Sequence, residues 1–218
     1  MENNKLKAVL VQQSVSLSMH NKSEAELLDL CGRAAGECYK AGESAEANKN
    51  RVLNCIKKGH TSILEHATIS FTVKTDRGTS HALVRHRHCA FTQESTIYVN
   101  YGRFETLEFI ALPAADVYKN NYALPDNYNA DLEEYCQAVT DEYCRLLNKG
   151  IAPGIARDVL PNCLATTIHI TTNLRELQSI LKIRSAPADS VRMHNIIGLL
   201  EVELRKEYPV FMKAILGV

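Results

Sequence analysis

One segment of strict alternation constrains the fold of this chain most strongly. Ala67, Ile69, Phe71 and Val73 are apolar, and the residues between them are Thr or Ser. A period of two predicts a strand with one buried face and one face in water. Residues 165–172 are rich in β-branched side chains and predict a second strand. Such half-buried strands need a covering layer, so the chain must also supply helices or a second sheet.

Helical patterns surround these two strands. Ser23 and Glu26 match a capping box, and apolar residues follow them at helical spacing. Further predicted elements are a strand at residues 7–11, helices at 44–58, 132–147, 173–183 and 190–206, a short helix from Pro153 and a short helix at 79–87. The sequence also predicts a polar loop at 93–101 that leads into an extended stretch, and a loop at 113–129. This order predicts a single α+β domain over residues 1–218.

The composition of the chain limits the classes of function that it can have. The chain has 218 residues, and 25 basic residues balance 25 acidic ones, so anion binding must come from local clusters. No apolar run reaches the length of a membrane span, and residues 1–5 lack a signal-peptide layout. The seven cysteines include no C-x-x-C pair. We therefore expect a cytoplasmic protein with reduced thiols, no metal and no structural disulfide.

The densest polar cluster is Arg85-His86-Arg87-His88, followed shortly by Gln93, Glu94 and Ser95. Two guanidinium groups suit phosphate oxygens, and the later polar residues suit a sugar or a base edge. The cluster therefore indicates a nucleotide site, although a solvated basic turn has the same composition. A zinc site on His86, His88 and Cys89 has poor spacing and is disfavoured.

Two further clusters flank the predicted strands. Residues 60–66 read as a helix start with Thr61 or Ser62 as its cap, and a helix start also binds phosphate. Arg157, Asn173, Arg175 and Arg184 form the other cluster, in which Asn173 could cap a helix. Arg175 and Arg184 are nine residues apart, so they do not share a helix face. An arginine near a helix end is usually a surface charge or a dipole partner.

Together these clusters resemble the flavin-dependent thymidylate synthases. That family is recognised by Arg-His-Arg, seven residues and Ser, which stand here at Arg85-His86-Arg87 and Ser95. The flanking matches are His60, Ser62, Glu65 and His66, residues 156–161, Thr171, Asn173 and Arg175, and Arg184. The similarity covers roughly residues 30–205.

The resemblance implies a methyltransferase of nucleotide biosynthesis that converts dUMP to dTMP. It implies FAD, NADPH and 5,10-methylenetetrahydrofolate, and a homotetramer with active sites shared between subunits. It also implies a central, mostly antiparallel sheet flanked by helices. The FAD-binding residues would be Ser62, Arg85, His86, Arg87, Asn173 and Arg175. The nucleotide-binding residues would be Gln93, Glu94, Ser95, Arg157 and Arg184.

Arg184 would also be the catalytic residue, because its fixed charge can stabilise negative charge that develops on the uracil. We expect the apolar neighbours Ile180, Leu181 and Ile183 to hold it rigidly, and we expect it to contribute little to folding.

The chain departs from the family pattern at several positions. Ala82 stands where the family usually has Gln, Ile97 where it has Arg, and Ser179 where it has Asn or His, and residues 189–193 differ from Ala-Gln-x-Glu-Ile. Methylation of another pyrimidine nucleotide such as UMP is therefore an alternative. A non-catalytic nucleotide- or RNA-binding module is a third, although neutral charge and the lack of Trp argue against an RNA surface.

Overall fold

The computed structural model describes residues 6–38, 44–112 and 127–216. Within these residues the strands form two sheets. A parallel pair joins β1 (Lys7–Val11) to β5 (Thr106–Ile110). A four-stranded antiparallel sheet has the order β2 (Ser14–Leu17), β3 (Thr68–Asp76), β6 (Ala165–Asn173), β4 (Cys89–Gln93). Strands β3 and β6 form its centre, because they pair along all nine residues from Thr68 opposite Asn173 to Asp76 opposite Ala165.

Helices lie between and after these strands. They are α1 (Glu24–Glu37), α2 (Ala45–Lys57), α3 (Arg77–Leu83), α4 (Tyr128–Asn148), α5 (Pro153–Ala156), α6 (Leu174–Arg184), α7 (Val191–Glu207) and α8 (Pro209–Leu216). Short 3₁₀ helices occupy Thr61–His66, Tyr101–Arg103 and Arg157–Val159. No helix in the described part of the chain is both long enough and apolar enough to cross a membrane.

The main core lies between the four-stranded sheet and the helices that cover it. Ile69, Phe71 and Val73 of β3 are buried, as their alternation predicts, and they pack with side chains of α1, α2, α6, α7 and α8. A second core joins β1 and β5 to α4, where Leu107 and Phe109 are buried. The predicted α+β class with a mostly antiparallel sheet is confirmed.

Side-chain caps determine where several helices begin. Ser23 accepts a hydrogen bond from the Glu26 amide, and the Glu26 carboxylate accepts one from the Ser23 amide at 2.8 Å. This confirms the predicted capping box, and the hydrogen bonds from Ser23 lower the pKa of Glu26. Asn173 caps α6 by accepting from the Glu176 amide at 2.8 Å. Ser190 caps α7 in the same way.

Other predictions need correction. The predicted helix at 79–87 is wrong in its extent, because α3 ends at Leu83 and leaves the Arg85–His88 segment in a loop. The polar loop at 93–101 is preceded by β4, which the sequence does not indicate, and β2 and α8 are not predicted either. The extended stretch expected after this loop contains β5. The loop at 113–129 falls mostly outside the described residues, but its end at Tyr128 and Asn129 belongs to α4.

Candidate functional site

The basic cluster lies in the loop between α3 and β4. Arg85, Arg87 and His88 are exposed, whereas His86 is only 7% exposed and points into the protein. Among the described residues, neither Arg85 nor Arg87 has an ion-pair partner. The loop therefore presents two cations to solvent and one imidazole to the interior.

His86 connects this loop to both ends of α6. Its Nδ1 is 2.9 Å from Oε1 of Glu176, and its Nε2 is 3.0 Å from Nε of Arg184. A guanidinium group only donates hydrogen bonds, so Nε2 of His86 must accept. We therefore assign the imidazole proton to Nδ1, which donates to the Glu176 carboxylate. One tautomer of His86 thus satisfies both neighbours.

Arg184 is held by three separate parts of the chain. Besides His86, its Nη2 donates to the main-chain oxygen of Ala82 at 2.6 Å, and its Nη1 donates to Oδ2 of Asp189 at 3.2 Å. The Arg184 side chain is 16% exposed. These hydrogen bonds fix the guanidinium group between the α3–β4 region and the segment before α7.

The expected role of the apolar neighbours of Arg184 is only partly met. Ile180 and Leu181 are buried in the main core, but Ile183 is 51% exposed. The expectation that Ile183 helps to hold Arg184 is wrong, because Ile183 turns toward solvent. The rigid placement comes from polar contacts across the fold instead.

A cavity of about 870 Å³ lies against α6. It is lined by the cap Asn173, by Arg175 and Glu176 of the first turn, by His88 of the basic loop, and by Glu65 of the 3₁₀ helix. Arg175 forms an ion pair with Glu65, and both side chains are about half exposed. A surface ion pair of this kind contributes at most about 1 kcal/mol, so a bound anion can compete for Arg175.

The remaining predicted flavin residues lie beside this cavity without lining it. Ser62 is exposed on the 3₁₀ helix that also carries Glu65. The expectation that Thr61 or Ser62 caps this helix is wrong, because its N-cap position is His60 and no side chain bonds there. Arg85 and Arg87 are on the same loop as His88, which does line the cavity.

The predicted nucleotide residues at the end of β4 are oriented by neighbouring polar groups. Gln93 donates from Nε2 to Ser80 Oγ at 2.9 Å and to Thr166 Oγ1 at 3.1 Å. Glu94 accepts a 2.6 Å hydrogen bond from the Tyr101 hydroxyl. Burial, and then this carboxylate, raise the pKa of Tyr101 above its usual range, which keeps the phenol protonated as a donor.

Ser95 and Arg157 belong to the same region. The Ser95 hydroxyl accepts a hydrogen bond from the Ile97 amide at 3.2 Å. Arg157 donates from Nη1 to Thr96 Oγ1 at 2.8 Å, which connects the α5 side of the protein to the segment after β4. Gln93, Glu94, Ser95 and Arg157 are thus brought together by the structure.

The two groups of predicted site residues lie at opposite ends of β4. Cys89 pairs with Thr172 at the end next to α6, and Gln93 pairs with Ile168 at the other end. Four residues of strand span about 13 Å. Arg184 is hydrogen-bonded to His86 of the predicted flavin group, whereas Gln93 is bonded to Ser80 and Thr166.

Two residues of this network could not be predicted from the sequence. Glu176 is 90 positions from His86, and Asp189 pairs with Arg184 across the turn before α7. Neither position has a local spacing that indicates its partner. Glu65 is part of a recognised motif, but nothing in the sequence indicates its ion pair with Arg175.

An exposed basic loop, a capped helix start and a polar cavity meet on an α+β fold. Main-chain N–H groups at a helix start and free guanidinium groups both favour phosphate, and ligand cavities are the usual location of an enzyme site. The geometry therefore fits the class of proteins that bind phosphorylated ligands such as nucleotides.

Comparison with known proteins narrows this class. The model of the family described as thymidylate synthase complementing protein (Thy1) matches residues 10–210. A flavin-dependent thymidylate synthase from Corynebacterium aurimucosum is 32% identical over 204 residues, covering 87% of this chain and 79% of that protein. One from Thermococcus onnurineus is 31% identical over 149 residues, covering 68% of this chain and 58% of that protein. The chain belongs to the flavin-dependent thymidylate synthase family.

The same fold is found in a solved structure of a nucleotide methylase. It is a UMP/dUMP methylase, PolB, from Streptomyces cacaoi, bound with 5-Br UMP. The TM-score is 0.76 at 21% identity, and the match covers 98% of this chain and 97% of that one. At this identity the likeness concerns the fold. It extends over nearly the whole chain.

Proposed function

We propose that this chain is an enzyme that catalyses the reductive methylation of dUMP to dTMP, with FAD as cofactor, 5,10-methylenetetrahydrofolate as carbon donor and NADPH as reductant. The observation that carries the proposal is the family match over residues 10–210, which includes all three site clusters in order. The aligned part is 58% of the length of the Thermococcus relative, so substrates and partners are inferred from the site residues as well.

The residues around the α6 cavity fit a flavin dinucleotide. Ser62, Arg85, His86, Arg87, Asn173 and Arg175 would hold it. The first-turn amides of α6 and the unpaired Arg85 and Arg87 suit a pyrophosphate. Glu65 and Glu176 line the same cavity and suit hydroxyl or ring N–H donors. The bound flavin would supply the reducing equivalents of the reaction.

Arg184 would act on the pyrimidine. Its hydrogen bonds to His86, Ala82 and Asp189 use three of its five N–H groups. A guanidinium group keeps its charge, so it can stabilise negative charge on a uracil oxygen without losing a proton. Gln93, Glu94, Ser95 and Arg157 would hold the nucleotide's base, sugar and phosphate.

A complete site would then require a second copy of the chain. Arg184 and the flavin residues lie at one end of β4, and Gln93 and Arg157 lie at the other. The two groups are thus separated by the length of a strand that is itself hydrogen-bonded to β6. We propose a homo-oligomer, a tetramer in the family pattern, in which one subunit supplies each group.

UMP is the second candidate substrate, and specific observations favour it. Ile97 stands where the family usually has a nucleotide-binding arginine, and its side chain is 51% exposed beside Ser95 and Arg157. Loss of a charged hydrogen-bond donor weakens binding by about 1.5–3 kcal/mol, so the nucleotide must be held differently here. PolB, which has the same fold, is described as a methylase of both UMP and dUMP.

The test is a turnover assay with dUMP and UMP side by side, with folate and NADPH supplied. We expect the purified protein to be yellow and to methylate dUMP faster than UMP. A higher kcat/KM with UMP would assign the second substrate. A flavin-free protein that binds nucleotides without turnover would show a binding module and refute the enzymatic proposal.

The flavin assignment has a separate test. Arg87→Ala should lower the flavin content of the purified protein, because it removes an exposed cation from the proposed pyrophosphate site. Arg205→Ala is the matched control, since Arg205 is a half-exposed arginine on α7 whose ion pair is with Glu201. Full flavin occupancy in Arg87→Ala would refute the assignment.

A further inference from the structure

Cys136 and Cys163 form a close thiol pair outside the proposed active site. Their Sγ atoms are 3.9 Å apart, although the residues are 27 positions apart in sequence. We propose that this pair is a modification site, at which a hydroperoxide oxidises Cys163 and Cys136 then closes an intrachain disulfide. The proposal does not depend on the flavin or the nucleotide.

The two thiols differ in access. Cys136 lies on α4 and is fully buried in the second core, whereas Cys163 lies just before β6 and is partly exposed. The Ile110 amide donates to the main-chain oxygen of Cys163 at 2.8 Å, which fixes this turn against β5. A reagent from solvent therefore meets Cys163 first, and Cys136 is placed to react only with Cys163.

Disulfide geometry is within reach of small movements. A disulfide requires an S–S distance of about 2.05 Å, so the sulfur atoms must approach each other by roughly 2 Å. Side-chain rotation and a small shift of the turn before β6 can supply this movement. No strand or helix has to be broken, because Cys163 lies between the 3₁₀ helix Arg157–Val159 and β6.

The charges around the pair favour a reactive Cys163. The hydrogen bond shared with Cys136, and then the positive charge of Arg192 on α7, lower the pKa of Cys163, against opposition from burial and from Asp76 at the end of β3. The same hydrogen bond raises the pKa of Cys136, with smaller contributions from burial and from Glu133 on α4. The thiolate is the nucleophile in thiol oxidation, so Cys163 is the residue that attacks.

Arg192 has an unusual position for a structural arginine. Its Nη2 donates to the Ile110 main-chain oxygen at 2.8 Å, which places its charge beside the same turn. Its buried Nε has no hydrogen-bond partner among the described residues. The charge of Arg192 is close enough to the pair to lower the pKa of Cys163.

The reaction balances with the hydroperoxide as oxidant. The Cys163 thiolate attacks the peroxide oxygen, the O–O bond breaks, and hydroxide leaves as Cys163 becomes a sulfenic acid. The Cys136 sulfur then attacks the Cys163 sulfur, forms the S–S bond and displaces water. For hydrogen peroxide, two thiols lose two electrons and two protons, and two waters form.

The first experiment uses the unmodified chain. Limiting iodoacetamide is added at a series of pH values, and each cysteine is quantified by peptide mass spectrometry. We expect Cys163 to be alkylated faster than the exposed Cys38 at neutral pH, because the pKa of Cys163 is lowered. Arg192→Gln should slow the alkylation of Cys163 several-fold, whereas the control Arg205→Gln should not. Equal or slower labelling of Cys163 than of Cys38 at pH 7 would overturn the proposal.

The second experiment tests the disulfide itself. Stoichiometric hydrogen peroxide should remove two free thiols from the folded chain and yield a peptide pair linked through Cys136 and Cys163, reversible by dithiothreitol. In Cys136→Ala, the same treatment should leave a sulfenic acid on Cys163 that a cyclic diketone traps. Cys55→Ala is the control and should form the disulfide normally. If oxidation of the unmodified chain yields other pairs or no intrachain pair, the proposal is wrong.

Discussion

Arg184 is the residue whose environment most restricts what it can do. It contacts the loop through His86, the end of α3 through Ala82, and the segment before α7 through Asp189. A flexible arginine on the surface could rotate away from a ligand, but this one is held in one orientation. Its charge is therefore available at a fixed point, which is the condition for electrostatic catalysis.

Replacement of Arg184 by lysine should abolish most of the turnover. A single ammonium group cannot contact Nε2 of His86, the Ala82 oxygen and Asp189 together and still reach a substrate. We expect kcat to fall by about a hundred- to a thousand-fold. Steady-state kinetics with the better nucleotide would measure the change, and Arg205→Lys should leave the rate unaltered.

The same substitution should also change stability, contrary to the expectation that Arg184 contributes little to folding. Loss of hydrogen bonds to a charged, mostly buried group lowers the free energy of unfolding by about 1.5–3 kcal/mol. Urea denaturation of Arg184→Lys measures it. An unfolding free energy equal to that of the parent chain would mean that the contacts to His86 and Asp189 are not maintained in solution.

At the scale of elements, prediction from sequence succeeded where a pattern is both long and local. Strand β3 follows from strict alternation over Ala67–Val73, and α1 follows from its capping box. Strand β4 could not be predicted from an apolar alternation. Its inward-facing residues are Cys89, Phe91 and Gln93, and the last of these is polar and bonds to Ser80 and Thr166 instead of entering the core. Only the pairing with β6 identifies it as a strand.

Other elements were missed for different physical reasons. Strand β2 has four residues and depends on its pairing with β3, since so short a segment has little preference of its own. Helix α8 has only eight residues, which are too few for its buried side chains Phe211, Met212 and Ile215 and its exposed Lys213 to establish a helical period. The site residues could be predicted from a family motif, but the contacts of Glu176 and Asp189 arise only when the chain folds.

The start of α6 allows its two roles to be separated. Asn173 caps the helix and lines the cavity. Asp is as good a cap as Asn, so Asn173→Asp should leave the free energy of unfolding unchanged. It should still weaken flavin binding on the order of tenfold or more, because it places a negative charge beside the proposed pyrophosphate.

Two variants complete this comparison. Asn173→Ala should lower the free energy of unfolding by about 1 kcal/mol, because the Glu176 amide loses its acceptor. Ser23→Ala should lower it similarly through α1 while leaving flavin affinity intact. Flavin titration followed by fluorescence, together with urea denaturation, measures both quantities. Unchanged flavin affinity in Asn173→Asp would mean that the flavin does not bind at the start of α6.

At the scale of the whole molecule, the proposed division of the site between subunits predicts complementation. Arg184→Ala and Arg157→Ala chains should each be inactive alone. Co-expressed with different affinity tags and purified through both, they should regain activity, because some sites then combine the intact end of each chain. Random assembly in equal amounts restores up to about a quarter of the sites.

A matched pair of variants provides the control. His86 and Arg184 are hydrogen-bonded within one chain, so His86→Ala and Arg184→Ala damage the same half of the site. Their hetero-oligomers should stay inactive. Recovery in this control, or none in the first mixture, would show that the site is not divided at β4.

The position of β4 also gives a physical meaning to the seven-residue interval between Arg87 and Ser95. The strand Cys89–Gln93 occupies most of that interval and is fixed in register against β6. The interval therefore sets the distance between the proposed flavin-binding loop and the proposed nucleotide-binding segment. Deletion of one residue from this interval would bring its two ends closer by about 3.3 Å. It would also turn the side chains that follow to the opposite face of the sheet.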